Sequence, residues 1–396
     1  MIKKPLPTEV YILSVVAFFV AIGYGLIIPA IPVFTKSFGV SNTAIGLIVS
    51  SFALARFSSG LISGKLVDNF GERQILTVGL LIVAASTLTC GLATSYWQLL
   101  IFRTAGGLGS SMFSVSASAL LMRSIGDSDR GRAQSTYNGA FLIGGIAGPA
   151  VGGLLMAISL RIPFFIYTAT LIMASATASI FLRESRLGPT FTKINNMSEK
   201  IPIRTALALY PYRAALVITF LSNWVLFGIR NTVLPLFVKG DLHSTSVIVG
   251  YGFTISAIAQ GAVLLYSGKM SDQRGRKFVL LVGSSFVFGA VTALVLAHNV
   301  WFFFASMALF GLGGAFIGTG HANVVGDLFG GKGGQVIAIW QMAGDAGMIV
   351  GPIVVGWVAD AFTYRTAFAV SGIAFILTFF LAGRLPETRK QSARTV

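Results

Sequence analysis

Four charged side chains interrupt otherwise apolar stretches of this sequence: Arg56, Arg103, Arg230 and Asp345. A charge held in hydrocarbon costs several kcal/mol, so such residues mark ion or substrate pathways by default. Asp345 is the one carboxylate well inside an apolar run, whereas Glu9, Asp327 and Asp360 fall near the ends of theirs. A carboxylate in a dry setting can take up and release a proton. Desolvation favours the neutral acid and a nearby guanidinium favours the ion, so making and breaking such a contact changes proton affinity. A permanent salt bridge that only locks the fold is the static alternative. Three Arg against one Asp also leave a positive surplus, which favours neutral or anionic cargo over lipophilic cations. Bonds to backbone carbonyls away from the cavity are the alternative for any of the three.

 

Other chemistries find no constellation. His243, His298 and His321 are far apart, and no metal-ligand spacing such as H-E-x-x-H occurs. His321, in an apolar run, is the one His placed near the expected cavity, and a lone His there is more often structural. Cys90 is the single cysteine and lies in an apolar run, which leaves no disulfide framework or thiol metal site. Gly311–Gly320 (GLGGAFIGTG) lacks the spacing of a dinucleotide loop and follows no strand, and no P-loop is present. The expectation is a non-enzyme with no cofactor and no metal, driven by an ion gradient.

The elements that must position these charges follow from composition. Of 396 residues 55% are hydrophobic and only 11% charged, with a mean hydropathy of +0.81. Soluble domains carry about 25% charged residues, so a water-soluble enzyme is excluded. Apolar runs predict twelve membrane-spanning helices. The first six lie near 10–33, 44–64, 75–94, 97–122, 134–157 and 162–182. The second six lie near 212–237, 246–267, 278–298, 301–326, 334–358 and 365–384. Spans 4 and 10 are the weakest, diluted by Ser and Gly. The basic start MIKKPLPTEV resembles a signal peptide, but its apolar run continues to Val33 without a small-residue cleavage site and reads as span 1.

The net charge of +16 has a topological reading. Twenty-two of the 29 Lys and Arg fall on one side of these spans, three fall inside them, and only Lys36, Arg161, Lys239 and Arg365 fall on the other side. This is the positive-inside pattern. It puts both termini in the cytosol and argues against nucleic acid as a partner.

A polar stretch at mid-chain divides the sequence into a bundle over 1–182, a cytosolic linker over 183–211 and a second bundle over 212–396. The two bundles repeat at an offset of 204 residues. Gly46 falls on Gly250, Gly64-Lys65 on Gly268-Lys269, Asp68 on Asp272, Gly71 on Gly275 and Arg73 on Lys277. Gly107 and Gly109 fall on Gly311 and Gly313, and Arg161 on Arg365. With one deletion Gly148-Pro149 meets Gly351-Pro352. Parallel repeats of this kind frame a midplane site exposed alternately to each side.

GKLVDNFGER (Gly64–Arg73) and GKMSDQRGRK (Gly268–Lys277), placed in the loops after spans 2 and 8, resemble the signature loop of the major facilitator superfamily. GAFLIGGIAGPAVGG (Gly139–Gly153) fits G-x8-G-P-x-x-G-G and resembles the span 5 motif of that family's twelve-span drug:proton antiporter branch. RTAGGLG from Arg103 and GYGLIIPAIP from Gly23 also resemble family segments. The resemblance implies an all-α membrane fold of twelve helices in two pseudo-symmetric six-helix bundles. It implies a proton-coupled antiporter exporting small amphipathic compounds, as a monomer in a bacterial inner membrane, its partners being the substrate, protons and the bilayer. A proton-coupled importer of a metabolite and a lipid or glycolipid flippase are the alternatives.

The resemblance also implies roles for residues. Spans 2 and 11 meet in the family, and Arg56 and Asp345 lie at similar depths, roughly 12 and 16 Å from their cytosolic span ends. They become a counter-ion and a proton carrier, with Arg103 also linked to proton transfer. Gly64, Asp68, Gly71, Arg73, Gly268, Asp272, Gly275, Arg276 and Lys277 form cytosolic latches, with Glu72 replacing a basic position in the first copy. Gly139, Gly148, Pro149, Gly152 and Gly153 form a bending contact between the halves. Tyr24, Phe113, Asn138, Trp224, Phe227, Arg230, Asn231, Tyr251, Trp340 and Gln341 line the substrate cavity.

Overall fold

The computed structural model describes residues 6–123, 130–182, 203–329 and 334–388. Most of the expected linker (residues 183–202) lies outside them, as do Lys3, Lys4, Arg183, Arg186, Lys193, Lys200, Lys332, Arg389, Lys390 and Arg394 of the charge count. Among the described residues all regular structure is helical. Backbone groups in lipid must be satisfied within their own segment, and a helix does this.

The helices in order are α1 (Thr8–Ile27), α2 (Ala30–Lys36), α3 (Asn42–Phe70), α4 (Glu72–Leu92), α5 (Tyr96–Arg123), α6 (Arg130–Ile158) and α7 (Ile162–Phe181). After the short α8 (Ile203–Ala208) come α9 (Tyr210–Asn223), a π-helical segment π1 (Trp224–Val233) and α10 (Leu234–Gly240). Then follow α11 (Ser246–Arg274), α12 (Arg276–Val295), α13 (Val300–Phe329), α14 (Gly334–Ala361) and α15 (Tyr364–Gly383). Among the described residues, eleven helical stretches are long and apolar enough to cross a membrane. The twelfth, α5, is 28 residues long, about 42 Å at 1.5 Å per residue, but Gly and Ser dilute it as expected of span 4. The protein is a multi-pass membrane protein with the twelve-helix all-α fold.

Two compact units make up the chain: Met1–Ser185 with Leu234–Thr254, and Arg186–Val233 with Ile255–Val396. In the first, α1 packs on α6 and α7, α4 on α5 and α7, and α3 on α5. In the second, α12 packs on α13 and α15, and α14 on α9 and π1. Large apolar side chains also face outward, such as Leu61 and Leu265, and this suits lipid rather than water. Trp97 and Trp301, in register at the starts of α5 and α13, are exposed as membrane-interface aromatics are.

The repeat is realised contact by contact. A Cβ placed on Gly109 would lie 2.5 Å from the Gly79 carbonyl, and one on Gly313 would lie 3.0 Å from that of Gly283. Gly107 abuts the Phe52 carbonyl, and Gly311 that of Ser256. Each pair is displaced by 204 residues from its counterpart. The glycines therefore let α5 and α13 approach their neighbours at backbone distance.

Two placements differ from the sequence reading. The signature motifs are not loops: Gly64 to Phe70 close α3, and Gly268 to Arg274 close α11. The break is one residue wide, at Gly71 (φ +87°) and Gly275 (φ +98°). A glycine takes such left-handed φ without a Cβ penalty, so the next helix starts at once. Spans 1 and 7 are also not single α-helices. Span 1 breaks between Ile27 and Ala30, beside Pro29, and span 7 is π-helical at its centre.

Candidate functional site

In the first unit Arg103 is only 5% exposed and stacks on Phe52, its Cζ 4.1 Å from the ring centroid. Its Nε has no hydrogen-bond partner among the described residues. Arg56, four residues after Phe52 on α3, is half-buried. Phe113 lies in the apolar core of this unit, and Tyr24 packs against the same cluster. Asn138 on α6 is exposed, as is Tyr251 on α11.

The glycine-proline stripe of α6 turns toward α1. Cβ atoms on Gly144, Gly148 and Gly152 would lie 2.5–2.7 Å from the carbonyls of Phe18, Ile22 and Leu26. These three glycines are used within the first bundle, against α1. Gly153 faces another way, its added Cβ 2.7 Å from the Gly250 Cα at the start of α11. Nothing lies within 4 Å of a Cβ on Gly139. Pro149 sits inside an unbroken α6 and packs on Gly25.

In the second unit, π1 holds four of the expected cavity residues: Trp224, Phe227, Arg230 and Asn231. The Thr232 hydroxyl donates to the Phe227 carbonyl five residues back at 2.7 Å. Gly228 meets the Gly351 backbone of α14, the counterpart of Gly25 against Gly148. Long π segments are rare and concentrate at functional positions. The Trp224 indole donates to Ser371 at 3.2 Å, and that of Trp340 to Thr219 at 2.8 Å. Both anchors lie in the second unit. Asn231 is buried, its Oδ1 without a hydrogen-bond partner among the described residues. Gln341 is exposed and Asp345 half-buried, both on α14.

A cavity of about 170 Å³ opens beside π1. Ser222, Asn223, Arg230, Gln260 and His321 supply its polar groups, and Leu226, Val287, Phe310, Ile317 and Phe375 supply apolar wall. The sequence reading missed Asn223 and Gln260, and it placed His321 near the cavity without giving it a binding role. A polar residue in the middle of a span was the available signal, and Gln260 in span 8 carries it.

The second signature motif closes a network at the end of α11. Arg276 donates through Nε and Nη2 to the two oxygens of Asp327, at 2.8 and 3.2 Å, and through Nη1 to Asp272 at 2.9 Å. Its backbone N–H donates to Glu387 at 3.0 Å. Asp272 and Arg276 were expected here, whereas Asp327 and Glu387 were not. Gly268 and Lys277 flank this network in the chain. In the first copy Arg73 donates to the Ser179 carbonyl at the end of α7, and Asp68 is exposed. Glu72, at the position matching Arg276, is buried.

The family model described as Major Facilitator Superfamily matches residues 13–237 and 215–395. Multidrug resistance protein 1 of Bacillus subtilis (strain 168) is 25% identical over 387 residues, covering 95% of this chain and 96% of that one. Multidrug resistance protein 2 of the same organism is 28% identical over 297 residues, 72% of each chain. The fold is similar to the crystal structure of a mutant of the nucleoside transporter NupG, with a TM-score of 0.75 at 14% identity, over 95% of this chain and 99% of that one. With its helices repeated in register and both parts matched by the family model, the chain belongs to the major facilitator superfamily of membrane transporters.

Proposed function

We propose that this protein is a secondary active exporter that exchanges small amphipathic organic compounds for protons by alternating access. The likeness to a multidrug resistance protein along 95% of the chain carries the export reading. Its setting is a bacterial inner membrane, with both termini in the cytosol and the proton gradient as energy source. Asp345 is assigned the proton, Arg56 its counter-charge, and Arg103 a supporting part in proton transfer. The surplus of intramembrane Arg supports neutral or anionic cargo.

Proteoliposomes with an imposed pH gradient test this reading. Neutral, anionic and cationic amphiphiles are added in turn while proton movement is followed. Substrate-driven collapse of the gradient, lost in Asp345→Asn, is expected. Cargo equilibration without proton movement would instead mean a uniporter or flippase, and co-directional movement an importer. Full coupling in Asp345→Asn would remove that residue from the proton path.

A further inference from the structure

The cavity beside π1 lies within the second unit, and helix α13 explains why it exists. Gly314, Ile317, Gly318 and His321 recur at helical spacing and line it together. Nothing lies within 4 Å of a Cβ built on Gly318, and only the Gln260 amide comes within that distance of one on Gly314, at 3.8 Å. Two absent side chains thus leave room next to a His. A cavity of about 150 Å³ is large enough for a benzene ring, and this one measures about 170 Å³.

Its chemistry is one-sided. The His321 Nδ1 is buried and has no hydrogen-bond partner among the described residues. The ring is held in place by Trp340, with centroids 5.6 Å apart. Asn223, whose amide also donates to the Thr219 carbonyl at 3.0 Å, and Gln260 bring amide groups, and Arg230, which has other interactions as well, brings positive charge. The lining residues include no Asp or Glu. Phe310, Ile317 and Phe375 provide the apolar wall that a ring would need.

We propose that this cavity is a binding subsite for a small aromatic carboxylate, either a whole cargo molecule or the acid-bearing ring of a larger one. The carboxylate accepts from His321 Nδ1–H and the amides near Arg230, and the ring lies against the apolar wall. Its use in transport rests on the export reading above, but binding itself does not.

Equilibrium dialysis of labelled benzoate against the full chain in detergent tests it, counting only binding displaced by excess unlabelled benzoate. Saturable binding is expected, with benzylammonium at least tenfold weaker. Gly318→Leu, which fills the cavity, and His321→Phe, which keeps a ring on Trp340 but removes the donor, should each weaken benzoate at least tenfold. Absence of saturable binding, equal binding of benzylammonium, or unchanged binding in His321→Phe would overturn the proposal. Benzoate binding with gradient collapse no faster than in protein-free liposomes would uphold the subsite and count against the export reading.

Discussion

Arg365 donates to the carbonyl of Ala297 at 2.8 Å, and 204 residues earlier Arg161 donates to that of Ala93 at 3.0 Å. Both guanidinium groups close the C-terminal end of a preceding helix, α12 and α4, where orphan carbonyls favour a cation. Duplication has preserved an individual hydrogen bond as well as a hydropathy pattern. Arg161 adds a second bond, to Gly91 at 2.7 Å, and lies over the Phe34 ring.

Removing these caps should cost stability. Hydrogen bonds to charged groups contribute about 1.5–3 kcal/mol. Arg161→Gln is expected to lower the thermal unfolding midpoint in detergent more than Arg365→Gln, since it loses two short bonds to carbonyls where Arg365→Gln loses one and a long 3.5 Å contact with His298. Lys at 161 should restore little, because an ammonium lacks the fork that reaches two carbonyls. Equal midpoints for wild type and Arg161→Gln would show that the bonds are not stabilising.

The two carboxylates on the Arg276 guanidinium differ in burial. The Asp327 side chain is 18% exposed and that of Asp272 73%. Breaking a buried pair from one side costs about 3–5 kcal/mol, and an exposed pair contributes about 0–1 kcal/mol. Asp327→Ala should therefore destabilise the protein strongly and Asp272→Ala scarcely at all, as read by thermal unfolding. The reverse order would place the main anchor of Arg276 on Asp272.

Within the α6 motif the glycines are not equivalent. A Cβ on Gly148 would lie 2.5 Å from the Ile22 carbonyl, a backbone atom that cannot yield cheaply. Gly148→Val should abolish folded protein in the membrane, measured as the monodisperse fraction after extraction. Gly139→Ala meets nothing and gains about 1 kcal/mol of helix propensity, so its yield should match or exceed that of wild type.

Asp345, Arg56 and Arg103 were legible as functional candidates because charge in an apolar run is visible one residue at a time. The register of the repeat was legible for the same reason, since Gly71 and Gly275 or Arg161 and Arg365 are identities at a fixed offset. Partners were not legible. Nothing in the spacing of Arg276 and Asp327, 51 residues apart, says that a guanidinium fork will meet a carboxylate. Nor does the order of Gly314, Gly318, Gln260 and His321 announce a cavity, because a void depends on which helices leave space beside a missing side chain.

The sequence by itself determined that this chain crosses a membrane many times, in two copies of one helical plan, because hydropathy and repetition are properties of residues in order. Only the tertiary structure decided that Gly144, Gly148 and Gly152 serve α1, that span 7 opens into a π-helix, and that His321 borders a cavity. Those outcomes depend on backbone approach and side-chain packing between segments distant in the chain, and no local pattern encodes them.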